Sequence, residues 1–497
     1  MTSADSAALR REALGVLMPG FVGTMLPDWL TTLLRDGLGG VCLFGHNVDS
    51  PAQVASLTAA TYAANPRAII AIDEEGGDVS RLHQHDGSPF PGNAVLGRID
   101  DVETTRAVAH EVGEQLASVG VHLTLAPVAD VNCNPDNPVI GVRSFGADAA
   151  AVAAHTAAWV EGVQAAGVAA CAKHFPGHGD TAADSHVAEP VVSADAATLD
   201  ARELAPFRAA IAAGTKTIMT SHIRVPALDP DAVATFSSTI LGDVLRDRLG
   251  FDGVVVTDAL DMVGASGERG IPAAAVAAVS AGADLLCLGS NNAESEIEAV
   301  VDALMGAVDT ATLPHGRLTD GDERCLALAD WLADRRRQSR AAAPAAAPEP
   351  VVGRRQVAAS FTLSDHATAV LGSGPRQVRW VKIEPEPNIA VGETPFGPFF
   401  AGGAVPSLVV PIDDRGLADT YVAEPGALTV VVGRELHRDE GASAAATTVA
   451  AGCVAIVVDM GFTPGDRVDV ATFGASRLVG EALLDLVEAD ARSDADA

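Results

Sequence analysis

Basic side chains are in short supply. Lys and Arg total 33 against 65 Asp and Glu, a formal net charge of -32. A surface this acidic repels phosphate backbones and anionic headgroups, which excludes nucleic-acid or membrane-surface binding as the main task. Cysteines are few: Cys42, Cys133, Cys171, Cys287, Cys325 and Cys453. None forms a C-x-x-C pair and most lie in apolar runs, so they read as buried thiols of a reducing compartment rather than a disulfide or zinc framework. Long apolar segments are missing too. One long uncharged stretch, residues 441–458, is rich in Gly, Ala, Ser and Thr and reads as a small-residue helix, Gly452 and a strand, not a membrane span. Near the start of the chain Asp5, Glu12 and Pro19 interrupt any signal-peptide pattern, so a cytoplasmic location is expected. Neither a P-loop nor a G-x-G-x-x-G fingerprint follows a strand, so no nucleotide cofactor is expected.

What is present is globular. The 497 residues are 48% hydrophobic and 20% charged, enough for a substantial core. Between about residues 13 and 330, short apolar runs alternate with Ala-rich amphipathic segments such as 104–118 and 199–213. The runs are 39–44, 68–73, 122–128, 169–174, 217–222, 253–258 and 285–289. Such runs read as parallel strands buried on both faces, and repeated βα units predict a (β/α)8 TIM-like barrel or a doubly wound sheet. Polar residues end several different runs: Asp73, Asp130, Lys173-His174, Ser221-His222 and Asp258. Groups gathered at many strand ends favour the barrel, whose C-terminal strand ends share one mouth. The Ala/Pro-rich tract in residues 335–353 reads as a linker. Strands at 378–383, 408–411, 428–432 and 453–459 with a closing helix at 477–488 predict a smaller α/β sandwich-like domain over 354–497. The expected division is thus 1–334, 335–353 and 354–497.

The most unusual segment is Lys173-His174-Phe175-Pro176-Gly177-His178-Gly179-Asp180-Thr181, continuing through Asp184-Ser185-His186. It follows a buried strand and reads as a long polar loop at the barrel mouth. A solvated loop, a metal site on His174, His178, Asp180 or His186, and a catalytic loop are the competing readings. The ligand types suit a metal, but no established zinc spacing is present. Asp184 and His186 are two apart, so extended backbone points both side chains the same way. A carboxylate beside an imidazole fixes its tautomer and stabilises its protonated form. Asp258 ends an apolar strand and fits either a helix cap or a reacting carboxylate. Asp73-Glu74-Glu75-Gly76-Gly77 is a third carboxylate-bearing strand end, with Arg81 and Arg143 as candidate cations.

Together these segments resemble glycoside hydrolase family 3, and within it the β-N-acetylglucosaminidase branch, over roughly residues 13–330. The resemblance implies that Asp258 is the catalytic nucleophile and His186 the general acid/base, with Asp184 as its partner. It implies that Asp73, Arg81, Arg143, Lys173 and His174 hold the hydroxyls of a terminal sugar. Glu74 stands where Gln is common, Asp78 where Arg is common and Ala259 where Asp is frequent, departures that bear on substrate detail more than on chemistry. The implied reaction is retaining cleavage of a terminal β-linked N-acetylglucosaminide through a glycosyl-aspartate, with no metal or organic cofactor. A neutral imidazole repels an incoming anion less than a carboxylate does, so inorganic phosphate is an expected competitor of water. The alternatives are a β-glucosidase or glycoside phosphorylase of the same family, a non-catalytic sugar-binding barrel and a metal-dependent hydrolase. Muropeptide disaccharides from peptidoglycan recycling and chitin oligomers both fit as substrates, and oligomeric state is left open.

Overall fold

The structure is a computed structural model that describes residues 3–183, 189–267, 269–341, 350–374, 376–386, 388, 390–392, 394–465 and 467–492. Two compact units divide the chain. The first comprises residues 1–74, 102–138 and 147–349, and the second 75–101, 139–146 and 350–497.

The first unit is built on eight short parallel strands: β1 (Leu17–Met18), β2 (Gly40–Leu43), β3 (Ile69–Ile72), β4 (Leu123–Thr124), β5 (Ala169–Phe175), β6 (Thr217–Thr220), β7 (Val254–Val256) and β8 (Leu286–Cys287). Strands β2 to β7 pair in chain order, each parallel to the next. Val256 then bridges Leu285, and β8 pairs in parallel with β1. Backbone bonds from Gly39 to Leu14 and from Cys42 to Pro19 join β2 to the chain around β1. The strands therefore close into a ring, with helices such as Pro51–Ala64, Val102–Ser118 and Ala149–Ala165 between them. This is the barrel of the two architectures that the alternation allowed. Strand β1, only two residues long, carries too little pattern to be read from sequence.

Side chains two apart in a strand share a face. Ile69 and Ala71, Leu123 and Leu125, Ala169 and Cys171, Val254 and Val256, and Leu285 and Cys287 all enter one buried cluster. Cys325, Leu328 and Leu332 of the long helix His315–Ala341 join it. The six cysteines are free thiols, with Cys42, Cys171, Cys287 and Cys325 buried.

The second unit holds a six-stranded sheet of β9 (Thr362–Leu363), β10 (Val378–Ile383), β11 (Leu408–Val410), β12 (Leu428–Gly433), β13 (Ala455–Asp459) and β14 (Val470–Ala471). The order is β9-β14-β13-β12-β10-β11, parallel except for the β9–β14 pair. The uncharged stretch divides as its composition predicts, into the helix Glu440–Ala450 and then β13. The helix Arg477–Arg492 ends the described chain.

One buried carboxylate braces the barrel. Asp284, fully buried just before β8, accepts from Arg246 Nη2 at 2.5 Å, Arg317 Nη2 at 2.6 Å and the Val255 N–H at 2.9 Å. Removing the acid strands two guanidiniums whose side chains are each only 17% exposed. Asp284→Ala is expected to cost about 3–5 kcal/mol, the scale of an uncompensated buried charge. Urea unfolding checks this, and a loss below about 1 kcal/mol would refute the bracing role.

Candidate functional site

The inward face of the strands leads directly to the polar residues. Ile69 and Ala71 continue two residues on to Asp73. Ala169 and Cys171 continue to Lys173, and Val254 and Val256 to Asp258. A period of two therefore delivers all three to the C-terminal strand ends on the barrel's inner side. Lys173 Nζ reaches Asp73 Oδ1 at 2.6 Å, with the two side chains 3% and 20% exposed. The Cys171 thiol lies below them. Burial pushes it up to about 12; a bond to Thr217 and the charge of Lys173 oppose this, while Asp73 and Asp258 reinforce it.

Asp258 follows Thr257, which is fixed on both sides: its N–H donates to the Leu285 carbonyl, and its Oγ1 accepts from the Cys287 N–H. Asp258 is half-buried, and its Oδ1 accepts from the Ala259 N–H at 2.8 Å. The next helix begins at Gly270, so the carboxylate does not serve as a helix cap. His222 Nε2 meets the Ala259 carbonyl at 3.1 Å and Nδ1 meets Thr235 Oγ1 at 2.9 Å, which holds the turn after Asp258. A carbonyl only accepts, so Nε2 carries the proton.

The long loop is pinned by Asp130. This fully buried carboxylate accepts from the His174 N–H at 3.2 Å, from His174 Nδ1 at 2.7 Å and from the His178 N–H at 2.7 Å. Burial opposes its ionisation, but the charges and bonds of His174 and His178 outweigh that and hold its carboxyl below the usual value. Burial pushes His178 down to about 4, so its ring is neutral at neutral pH, and its Nδ1 pairs with Thr181 Oγ1 at 2.8 Å. Asn137 Nδ2 donates to the carbonyls of His178 and Gly179. Two glycines permit this packing. A Cβ at Gly179 would stand 1.9 Å from the Val131 carbonyl oxygen, and one at Gly177 would stand 2.8 Å from Glu203 Oε2.

Beneath the loop lies a group that sequence reasoning did not single out. Arg202 donates through Nη2 to Asp180 Oδ2 at 2.5 Å and through Nε to Glu203 Oε1 at 2.6 Å. The Glu203 side chain is fully buried, and its Oε2 has no hydrogen-bond partner among the described residues. Burial pushes its carboxyl up to about 7 against the opposing charge and bond of Arg202. Nothing in the sequence distinguishes Arg202-Glu203 from an ordinary exposed helix pair.

Arg81 and Arg143 belong to the second unit. Arg143 forms a buried bidentate pair with Glu75, at 3.0 Å from Nε and 2.7 Å from Nη2. Arg81 donates to the carbonyls of Val391 and Ala390 at 2.9 and 2.6 Å. Asp78, one of the departures from the family pattern, pairs with Arg434 at 2.8 Å and accepts the Ala475 N–H at 2.7 Å. Asp184 and His186 lie outside the described residues.

A closed ring of parallel strands that raises carboxylates, a lysine and histidines at its C-terminal ends is the layout of a barrel enzyme. Residues 22–328 match the family model described as the glycosyl hydrolase family 3 N terminal domain, and the chain belongs to that family. A protein of Pseudoalteromonas piscicida named beta-hexosaminidase A is 38% identical over 332 residues, 61% of this chain, and the match spans only 55% of that relative's length. A Nitrosomonas eutropha protein named beta-hexosaminidase is 37% identical, over 61% of this chain and 89% of its own. A solved glycoside hydrolase family 3 beta-N-acetylglucosaminidase from a Paenibacillus species superposes with a TM-score of 0.80 at 31% identity, covering 96% of each chain.

The raised Glu203 carboxyl has a thermodynamic signature. Its folded value of about 7 exceeds the ordinary 4.5, so the stability it allows is fully present below pH 4.5 and is lost as pH rises towards 7. Glu203→Gln removes that titration. The melting temperature of the variant minus that of wild type is expected to climb from pH 5 to pH 8.5 in differential scanning fluorimetry. A difference that is flat or falls over that range contradicts the raised value.

Proposed function

We propose that the protein is a retaining β-N-acetylhexosaminidase that removes a terminal β-linked N-acetylglucosamine. The observation that carries this reading is the shared inward register that brings Asp73, Lys173 and Asp258 to the strand ends of one barrel. The named activities of the relatives and of the Paenibacillus structure support the sugar class.

In this reading the Asp258 carboxylate attacks the anomeric carbon. The bond to the leaving oxygen breaks as the glycosyl-aspartate forms, through an oxocarbenium-like state. His186, with Asp184 as its partner, gives a proton to the departing oxygen and then takes one from the incoming water. The two successive displacements retain the configuration. Asp73 and Lys173 offer an acceptor and a donor to adjacent sugar hydroxyls, and their ion pair holds each ready for the other's neighbour. His174, fixed through Nδ1 by Asp130, adds a positioned imidazole. Holding the ring in a reactive pose lowers the barrier by several kcal/mol. No step calls for a metal or organic cofactor. Because the base is an uncharged imidazole at the second step, inorganic phosphate competes with water and yields a sugar 1-phosphate.

The test is release of aglycone from aryl β-N-acetylglucosaminides by wild type, Asp258→Asn and His186→Ala, with and without phosphate. Asp258→Asn is expected to lose about 10³-fold or more of kcat, the scale of removing a reacting group. His186→Ala is expected to lose about 10²–10⁴-fold on poor leaving groups and far less on activated ones. Full activity of Asp258→Asn, or faster turnover of aryl glucosides than of the N-acetyl substrate, would overturn the reading. If added phosphate changes neither rate nor product, the phosphorolytic branch falls and hydrolysis stands.

A further inference from the structure

The turn that carries Asp258 is held by more than its own strand. The Ala259 N–H donates to Asp258 Oδ1 at 2.8 Å. The next peptide is clamped at both ends: His222 Nε2 donates to the Ala259 carbonyl at 3.1 Å, and the Leu260 N–H donates to the Cys287 carbonyl at 2.9 Å. Ala259 brings no polar side chain, so its N–H and carbonyl are the points at which it is held. Cys287 lies on β8 and His222 just after β6, the two neighbours of β7. The turn after β7 is thus gripped from both sides.

The imidazole is itself locked. His222 is fully buried, so it acts on the turn and not on a sugar at the mouth. Its Nδ1 meets Thr235 Oγ1 at 2.9 Å, and that hydroxyl is bonded in turn to the Ser221 carbonyl at 3.0 Å and to Thr220 Oγ1 at 2.8 Å. The ring lies nearly parallel to that of Phe236, with 15° between the planes, and the Arg269 guanidinium covers Phe236 at 4.4 Å. A ring held at one nitrogen and along one face keeps the other nitrogen aimed at the Ala259 carbonyl. Any buried imidazole needs partners for its nitrogens, and a satisfied core histidine is the ordinary reading. The address of this one argues for more. The carbonyl that it holds belongs to the residue whose N–H bonds the Asp258 carboxylate.

We propose that His222 is a positioning residue for the attacking carboxylate: by fixing Ala259 it sets the direction from which Asp258 meets the anomeric carbon. The proposal rests on the reading of Asp258 as the nucleophile. Attack demands close alignment, and a misplacement of about 1 Å costs on the order of 10²-fold in rate. Binding of the sugar makes no such demand on this turn, because Asp73 and Lys173 stand just after β3 and on β5. Loss of the clamp therefore lowers turnover and leaves affinity for the sugar in place.

Two amide substitutions separate positioning from mere structure. The amide nitrogen of Gln lies about where Nε2 does and donates to the Ala259 carbonyl. That of Asn lies where Nδ1 does and falls short of it. Both side chains are polar and close in size, so they load the fold alike. Full-length wild type, His222→Gln, His222→Asn and Asp258→Asn are compared for kcat/KM on dinitrophenyl β-N-acetylglucosaminide and for the inhibition constant of N-acetylglucosamine. His222→Asn is expected to lose about 10²-fold of kcat/KM with the inhibition constant changed by less than about 3-fold, while His222→Gln stays within about 5-fold of wild type. Thr235→Val frees Nδ1 but keeps the imidazole, and it serves if His222→Asn does not fold; about 10-fold loss of kcat/KM at an unchanged inhibition constant is expected of it. Equal losses in His222→Gln and His222→Asn would overturn the positioning role. So would no loss in His222→Asn (or, where that does not fold, in Thr235→Val), or an inhibition constant that rises in step with the lost turnover. The nucleophile is read separately from Asp258→Asn: if that variant keeps full activity, the nucleophile assignment falls and this proposal falls with it.

Discussion

The polar end of the barrel depends on one buried carboxylate. Asp130 is wholly removed from solvent yet ionises readily, because it takes two backbone N–H groups and an imidazole of the strand and loop beside it. An ion placed in the interior without such partners is prohibitively costly. With them, it becomes a fixed point: the chain from His174 to His178 must wrap around it. Lys173 is the residue before this wrap, so its reach to Asp73 is set by the same constraint. Two consecutive residues thus face separate tasks, one turned to a neighbouring carboxylate and the next locked to another.

The rest of the site follows from strand geometry. Hydrophobic residues that fill the ring and charged residues that cap it occupy the same alternating positions along each strand. The polar groups at the strand ends are the continuation of the core by other side chains, and the apolar layer beneath them supplies the low dielectric that makes each charge count. The thiols record that environment. Cys171 resists ionisation through burial, and Cys42 does so through its contact with Cys287 and then through burial.

Much of this is legible in the sequence because buried parallel strands are short apolar runs that end abruptly in polar residues. All seven such runs coincide with strands or their extensions, and the Ala-rich segments between them include the helices Val102–Ser118 and Leu204–Ala212. The elements that escape are too short to hold a pattern: Leu17–Met18, Thr362–Leu363 and Val470–Ala471. Partnerships escape for another reason. Nothing local tells that Arg143 takes Glu75, or that Arg81 spends two nitrogens on the carbonyls of residues 390 and 391. Arg202 and Glu203 look like any charged helix pair until packing buries one of them. Equally silent is the hydropathy of residues 75–101 and 139–146, which group with the chain beyond residue 350.

The seam of the ring has a consequence for how the protein is made. Leu17 and Met18 have their partners at Leu286 and Cys287. A ribosome delivers the first strand early and the last one long afterwards, so the N-terminal strand must wait, exposed along one edge, while six others assemble beside it. Closure of so long a loop brings little reward until that final pair forms. Until that pair forms the ring has two unpaired strand edges, a geometry that invites association with other chains. A pause in translation between residues 256 and 287 would prolong that state more than a pause anywhere earlier, because only the closing strand removes both edges at once.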